Sequence, residues 1–360
     1  MPKSAEALVK PELLIWGRYS CGMPKSVAAR KIGVSIEKLQ AWELGEVRPT
    51  IKQLRKIANI YKQTFAAFFL QEAPEVFEPP VHDFRKASLE DERGLSPELI
   101  LDIRNSLDRR EIYLDLMHDF GEEPLLFEFK TSIRNNPDEV AKLIRKFLKV
   151  SLSKQAKWKN NRIAFNKWRE AIENKEILVF QATKVPVSEM RGYSVAKFPF
   201  PIISVNRKDS YAGRIFSMIH ELTHIMLRES SLCDLEQIQN PTTRLLKTEA
   251  FCNHVAGEFL VPKKHLLSNP TIKGHSSLIW DDFQLSSLSK TFCVSKEVIL
   301  RRLLILGKTS RDFYLQKRRD YQKELEAIPK KTKGFVPPST NVLSATGKPY
   351  TRMVLDAFNT

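Results

Sequence analysis

The chain has 360 residues, 42% hydrophobic and 28% charged, an ordinary globular mixture that excludes disorder as the default and leaves room for two or three domains. Its formal net charge of +16 favours an anionic partner, nucleic acid first. No run approaches the ~18 apolar residues needed to cross a bilayer, the opening MPKSAEALVKPELL lacks a secretory pattern, and Cys21, Cys233, Cys252 and Cys293 form no CxxC pair, so the expectation is a cytoplasmic protein with reduced, mostly buried thiols and no membrane partner.

From Lys10 to Leu70 apolar residues recur at three- and four-residue steps, broken at Gly22 to Pro24, Gly33 to Ser35 and Gly45 to Pro49, which predicts a compact all-helical unit over residues 1–72. Within it, Ser26 to Ile32, a turn at Gly33, an N-cap at Ser35 and a second helix from Ile36 to Leu44 fit a helix-turn-helix, with Leu39 and Trp42 packed inward. Lys38 and Gln40 suit base edges or phosphates, and Ser35 at the helix start is grouped with them as a DNA-binding residue. Glu37 faces a polyanion and argues against base-specific reading. The same helices would also serve as a dimerisation module, which leaves a homodimer open.

The proline-rich stretch from Glu72, EAPEVFEPPVHDFRKAS, cannot continue a helix and predicts a linker over 73–95. Ser96 to Phe120, Asn136 to Lys149 and Trp158 to Asn174 carry helical patterns. Glu176 to Phe180, Gly192 to Val195 and Pro201 to Asn206 are short and β-branched or aromatic, and predict strands of one small sheet. Helical patterns return at Tyr211 to Glu229 and Leu245 to Phe259, the latter stopped by Pro262. Leu285 to Phe292, Ser295 to Leu306 and a basic stretch from Arg311 predict a helical C-terminal unit over 271–360. Residues 301–334 hold 11 Lys and Arg against 4 Asp and Glu, a solvated basic face. The fold class is therefore α+β, with the sheet-bearing domain at 96–270.

The decisive segment is RIFSMIHELTHIML, Arg214 to Leu227. On a helix, His220 and His224 lie one turn apart on one face and can present two imidazoles to one ion. Glu221 stands beside them, where its carboxylate can take the proton of an activated water. This HExxH spacing is the helical signature of zinc peptidases. Such a site needs a third protein ligand, and the best candidate is Glu249 in TEAFCNHVAGEFLVP, 25 residues past His224 on the next helix. Asn253, one turn further on the same face, is placed to accept the outer N–H of a ligand imidazole and fix its tautomer. An electrophilic helper for the oxyanion is expected, with Tyr193, Tyr211 and His254 as the alternatives.

Taken in order, WELGEVRPTIKQLRKIANIYKQTFAAFFL, HDFRKAS, RGYSVAKFPFPIISVN, FSMIHELTHIML, TEAFCNHVAGEFLVP and VSKEVILRRLLILG resemble the ImmA/IrrE family of metallopeptidases, in the branch with a fused N-terminal helix-turn-helix of the Xre type. The resemblance covers most of the chain. It implies a zincin-like domain followed by a winged-helix-like region and tail, Zn2+ with Mn2+ as a substitute on His220, His224 and Glu249, and Glu221 as the base. It also implies an endopeptidase that cuts a partner repressor and relieves repression of stress or mobile-element genes. Cys252 and His254 stand where the family usually has small or apolar residues. The alternative function is a helix-turn-helix regulator whose metallopeptidase-like domain senses a ligand or metal.

Overall fold

The computed structural model describes residues 5–80, 82–83, 95–125, 127–233, 243–327 and 337–359. The chain divides into two compact units, Met1–Arg109 and Arg110–Thr360. Residues 81 and 84–94 of the expected linker, including most of its HDFRKAS segment, and the basic run 328–336 lie outside the described residues.

The first unit is helical, with α1 (Pro11–Tyr19), α2 (Lys25–Ile32), α3 (Ile36–Glu43), α4 (Ile51–Tyr61) and a 3-10 turn at Phe65–Phe69. Local chemistry sets its boundaries. Gly33, at φ +80°, closes α2 in the left-handed region that a side chain disfavours. Ser35 caps α3 by accepting the Lys38 backbone N–H at 3.2 Å. Thr50 and Gln53 form a reciprocal capping box at the start of α4. Leu13, Ile32, Leu39, Trp42, Leu54, Ile57 and Phe68 share its core, so the predicted inward packing of Leu39 and Trp42 is observed. The next helix, α5 (Pro97–Asp119), spans the division at Arg109.

The second unit opens with α6 (Pro137–Phe147), α7 (Leu152–Gln155) and α8 (Asn161–Glu173). Strands β1 (Leu178–Ala182), β2 (Gly192–Val195) and β3 (Ile202–Asn206) follow, then α9 (Tyr211–Met226), β4 (Ser231–Cys233) and α10 (Thr243–Leu260). Within this unit the strand order is β4-β2-β3-β1. β1 runs parallel to β3, Leu178 opposite Ile202, while β2 is antiparallel to both β3 and β4. Every residue of β1, β2 and β3 is buried, which accounts for their near-continuous apolar runs. Helix α9 packs against β2, β3, α8 and α10, and α6 packs against α10.

The remaining helices are α11 (Lys263–Ser268), α12 (Pro270–Lys273), α13 (Asp282–Phe292), α14 (Lys296–Ile305), α15 (Arg311–Ala327), α16 (Pro338–Thr346) and α17 (Lys348–Asn359). The sequence pattern points to α13, α14 and α15 but not to α16 and α17. Helix α16 packs against β1; there Gln181 and Arg169 both donate to the Ser344 carbonyl, at 2.6 and 2.8 Å. No helix among the described residues is long and apolar enough to cross a membrane.

Candidate metal centre

Helix α9 is the centre's frame. Ser210 caps it by accepting the Gly213 N–H at 3.0 Å, and Ile215, Met218, Ile219, Leu222, Ile225 and Met226 are buried in the core of the unit. That apolar stripe fixes the rotation of the helix. His220 and His224 are consequently carried inward, both almost fully buried. Helix α10, packed along α9, brings Glu249 to the same point.

Four atoms of three side chains converge there. His220 Nε2 lies 3.1 Å from His224 Nε2, 3.2 Å separates it from Glu249 Oε2, and His224 Nε2 is 3.1 Å from Glu249 Oε1. Ligands at about 2.0–2.1 Å from a tetrahedral ion stand roughly 3.3 Å from one another, so this triangle fits a small divalent ion. The larger Ca2+, with bonds of about 2.3–2.6 Å and six or more oxygen ligands, matches neither the spacing nor the donor set. Among the described residues, His220, His224 and Glu249 form a cluster that could hold a metal ion.

Charge in this triangle is self-complementary. Burial alone would push the Glu249 carboxyl up, yet the two imidazoles hold it well below the usual carboxylate range. Burial opposes charging of His220, but Glu249, and more weakly Glu221, raise it above the ordinary histidine value.

Glu221 is fully buried. Its Oε2 accepts the Ser194 hydroxyl at 2.9 Å and the Ser231 hydroxyl at 2.5 Å. Its Oε1 meets no hydrogen-bond partner among the described residues. The missing side chain of Gly192 makes the room: a Cβ there would come within 3.3 Å of both Cγ and Oε1 of Glu221. The sequence pattern points to none of these three neighbours. Gly192 and Ser194 alternate on one face of a strand, a signal too common to stand out, and Ser231 comes into place only by strand pairing.

Other expected site residues are placed differently. Asn253 does not hold an imidazole, since its Oδ1 is buried without a hydrogen-bond partner among the described residues. His254 Nε2 is engaged with Asp138 at 2.8 Å. Tyr193 is fully buried on β2, and the Tyr211 ring carries the Arg214 guanidinium 4.0 Å above it. The Cys252 thiol is pushed well up, first by burial and then by Glu249 and Glu221, which makes it a protonated core side chain. In the first unit, Ser35, Lys38 and Gln40 are exposed on α3, but the Ser35 hydroxyl serves as the helix cap. Glu37 is held below the usual carboxylate range by its own backbone N–H and by Ser35, so it stays ionised on the exposed surface of α3.

An HExxH helix beside a small mixed sheet, joined by a glutamate from the following helix, is the arrangement expected of a metallopeptidase domain. Residues 172–304, which include all four of these side chains, match the family of the IrrE N-terminal-like domain, Peptidase_M78. Residues 18–68 match the helix-turn-helix family that contains Xre-type domains. The chain thus carries a helix-turn-helix DNA-binding region fused to an ImmA/IrrE-like metallopeptidase domain. No curated protein and no solved structure matches it.

Proposed function

We propose that the protein is a zinc-dependent endopeptidase that cleaves a partner transcriptional repressor, and that its helix-turn-helix brings it to DNA. The observation that carries this reading is the triangle of His220, His224 and Glu249, 3.1 to 3.2 Å on each side, with the buried carboxylate of Glu221 on the same helix. His220, His224 and Glu249 would hold the ion, Zn2+ or Mn2+ in its place. When bound, a divalent ion supplies Lewis acidity, which acidifies water and polarises a carbonyl.

The work of the chain's own residues is proton transfer. Glu221 accepts the proton of the attacking water as it adds to the scissile carbonyl and returns it to the departing amine. Burial keeps competing water away from that carboxylate. Lys38 and Gln40 on α3 supply phosphate and base-edge contacts. The repressor as substrate rests on the resemblance of the chain to the ImmA/IrrE family. Residues 73–95 are proposed as the linker between the two functions, with peptidase chemistry carried by 96–270.

The test is Glu221→Gln, which keeps the shape of the side chain and removes its basicity. Co-expressed with helix-turn-helix repressors encoded beside it, wild type should cut one of them. The variant should keep its metal and its fold while losing about 100- to 10,000-fold of the rate. Cleavage that survives in Glu221→Gln removes this mechanism; a wild-type protein that cuts no partner leaves the regulator that senses a metal or ligand.

A further inference from the structure

We propose that Ser194 and Ser231, with Gly192, are positioning residues that orient Glu221, pinning one carboxylate oxygen and leaving the other open for proton transfer. The inference rests on the reading of Glu221 as the base. It comes from strand register. Ser194 of β2 and Ser231 of β4 stand directly opposite one another on antiparallel neighbours, so their side chains emerge together. Their hydroxyls are 2.9 Å apart, and both reach the same oxygen, Oε2 of Glu221.

A carboxylate buried for structural reasons is normally satisfied at both oxygens, because each unpaired lone pair costs desolvation energy. Glu221 is satisfied at one oxygen only. The other, Oε1, faces Gly192, where the smallest side chain would lie at 3.3 Å. Two residues along the same strand therefore act on opposite ends of one carboxylate: Ser194 donates to Oε2, and Gly192 leaves space beside Oε1. Without its hydroxyl donors, a buried carboxylate beside a dication gains most by turning onto the cation. The serine pair opposes that turn and keeps Glu221 beside the ligand set rather than in it.

The experiment compares full-length wild type with Ser194→Ala/Ser231→Ala, Ser231→Ala and Ser231→Thr, each loaded with Zn2+. We expect the double variant to bind one ion at least as tightly as wild type, while the crystal structure of its loaded form shows the Glu221 carboxylate turned from the wild-type orientation towards the ion. On a cleaved protein its kcat should fall about 10- to 100-fold with KM within about twofold, the range seen when groups that orient active-site side chains are removed. Ser231→Thr, which keeps a hydroxyl, should recover most of what Ser231→Ala loses. An unmoved carboxylate in the loaded double variant overturns the proposal, as does a Ser231→Thr variant no better than Ser231→Ala. Should the double variant fail to fold, the Ser231→Ala and Ser231→Thr structures carry the same comparison. Should wild type cleave nothing, the proposed peptidase function fails, and the carboxylate orientation still decides whether the serines position Glu221.

Discussion

Both units bury carboxylates, and Glu43 in the first is satisfied in the opposite way to Glu249 and Glu221 in the second. In the helix-turn-helix unit, Arg18 donates to Glu43 through Nε at 2.6 Å and through a terminal nitrogen at 3.0 Å, and its remaining nitrogen donates to the Met23 carbonyl at 3.2 Å. That is a bidentate pair in which each guanidinium nitrogen donates inside the unit. In the metallopeptidase unit, Glu249 faces two imidazoles whose nitrogens also face each other, and Glu221 is bonded at one oxygen only. The closed ion pair holds the first unit together, whereas the second unit gathers two imidazoles and a carboxylate that could hold a metal ion.

Breaking the closed pair should have the largest effect. Glu43→Ala leaves the Arg18 guanidinium buried without its counter-charge, so the first unit should lose about 3–5 kcal/mol. Hydrogen exchange of the α2 and α3 amides in the full-length chain reads this, and zinc content should not change. A loss under about 1 kcal/mol would mean that solvent reaches Arg18 easily and that the contrast is false.

The open group should respond through its ligand instead. Glu249→Ala should weaken zinc binding about a hundredfold or more, because a three-ligand site loses its geometry with one ligand gone. Asn253→Ala should leave affinity within about twofold, since Asn253 Oδ1 bonds nothing among the described residues. Titration of both variants against a chelator of known affinity checks the pair. Full retention of zinc by Glu249→Ala would remove Glu249 from the site.

A smaller effect separates the two units by pH. Cys21 is buried in the first unit, where its thiol donates to the Arg18 carbonyl at 3.2 Å, and burial pushes it from an ordinary 9.0 up to about 11. Below about pH 9 the thiol is protonated both folded and unfolded, so its contribution is constant. Above that the unfolded chain releases the proton and the folded one keeps it, so stability falls as pH rises towards 11, by roughly 2–3 kcal/mol in all. Urea unfolding of the first unit at pH 8.5 and 10.5, with Cys21→Ala as reference, should show a fall that the variant lacks. An equal fall in both would assign it to other groups.

The smallest effect concerns DNA. Lys38→Ala should lower affinity a few-fold and reduce the slope of log K against log salt by about 0.9, the loss of one phosphate contact. Gel-shift titrations at two salt concentrations measure it. An unchanged slope would mean that α3 does not meet the backbone through Lys38.

Much was legible in the sequence wherever one helix or one turn carries the information. The 220–224 spacing, the cap at Ser35 and the turn at Gly33 depend on contacts within four residues, and helical periodicity marked α8, α9, α13 and α14 to within a few positions. The pairing of Glu249 with the two histidines was reachable because a single antiparallel return of α10 sets it. The short strand β4 and the helices α16 and α17 were not singled out in the sequence. β4 exists through its ladder with β2, and α16 is held through the Ser344 carbonyl.

The sequence by itself determined which side chains share the face of α9, since a helix repeats every 3.6 residues whatever surrounds it. Only the tertiary structure decided how Glu221 is held. Its two hydroxyl donors lie 27 and 10 residues away, and no local period links them. They meet because β2 and β4 pair in a register that puts Ser194 opposite Ser231, and a one-residue slip of β4 would turn the Ser231 hydroxyl to the other face of the sheet, away from Ser194.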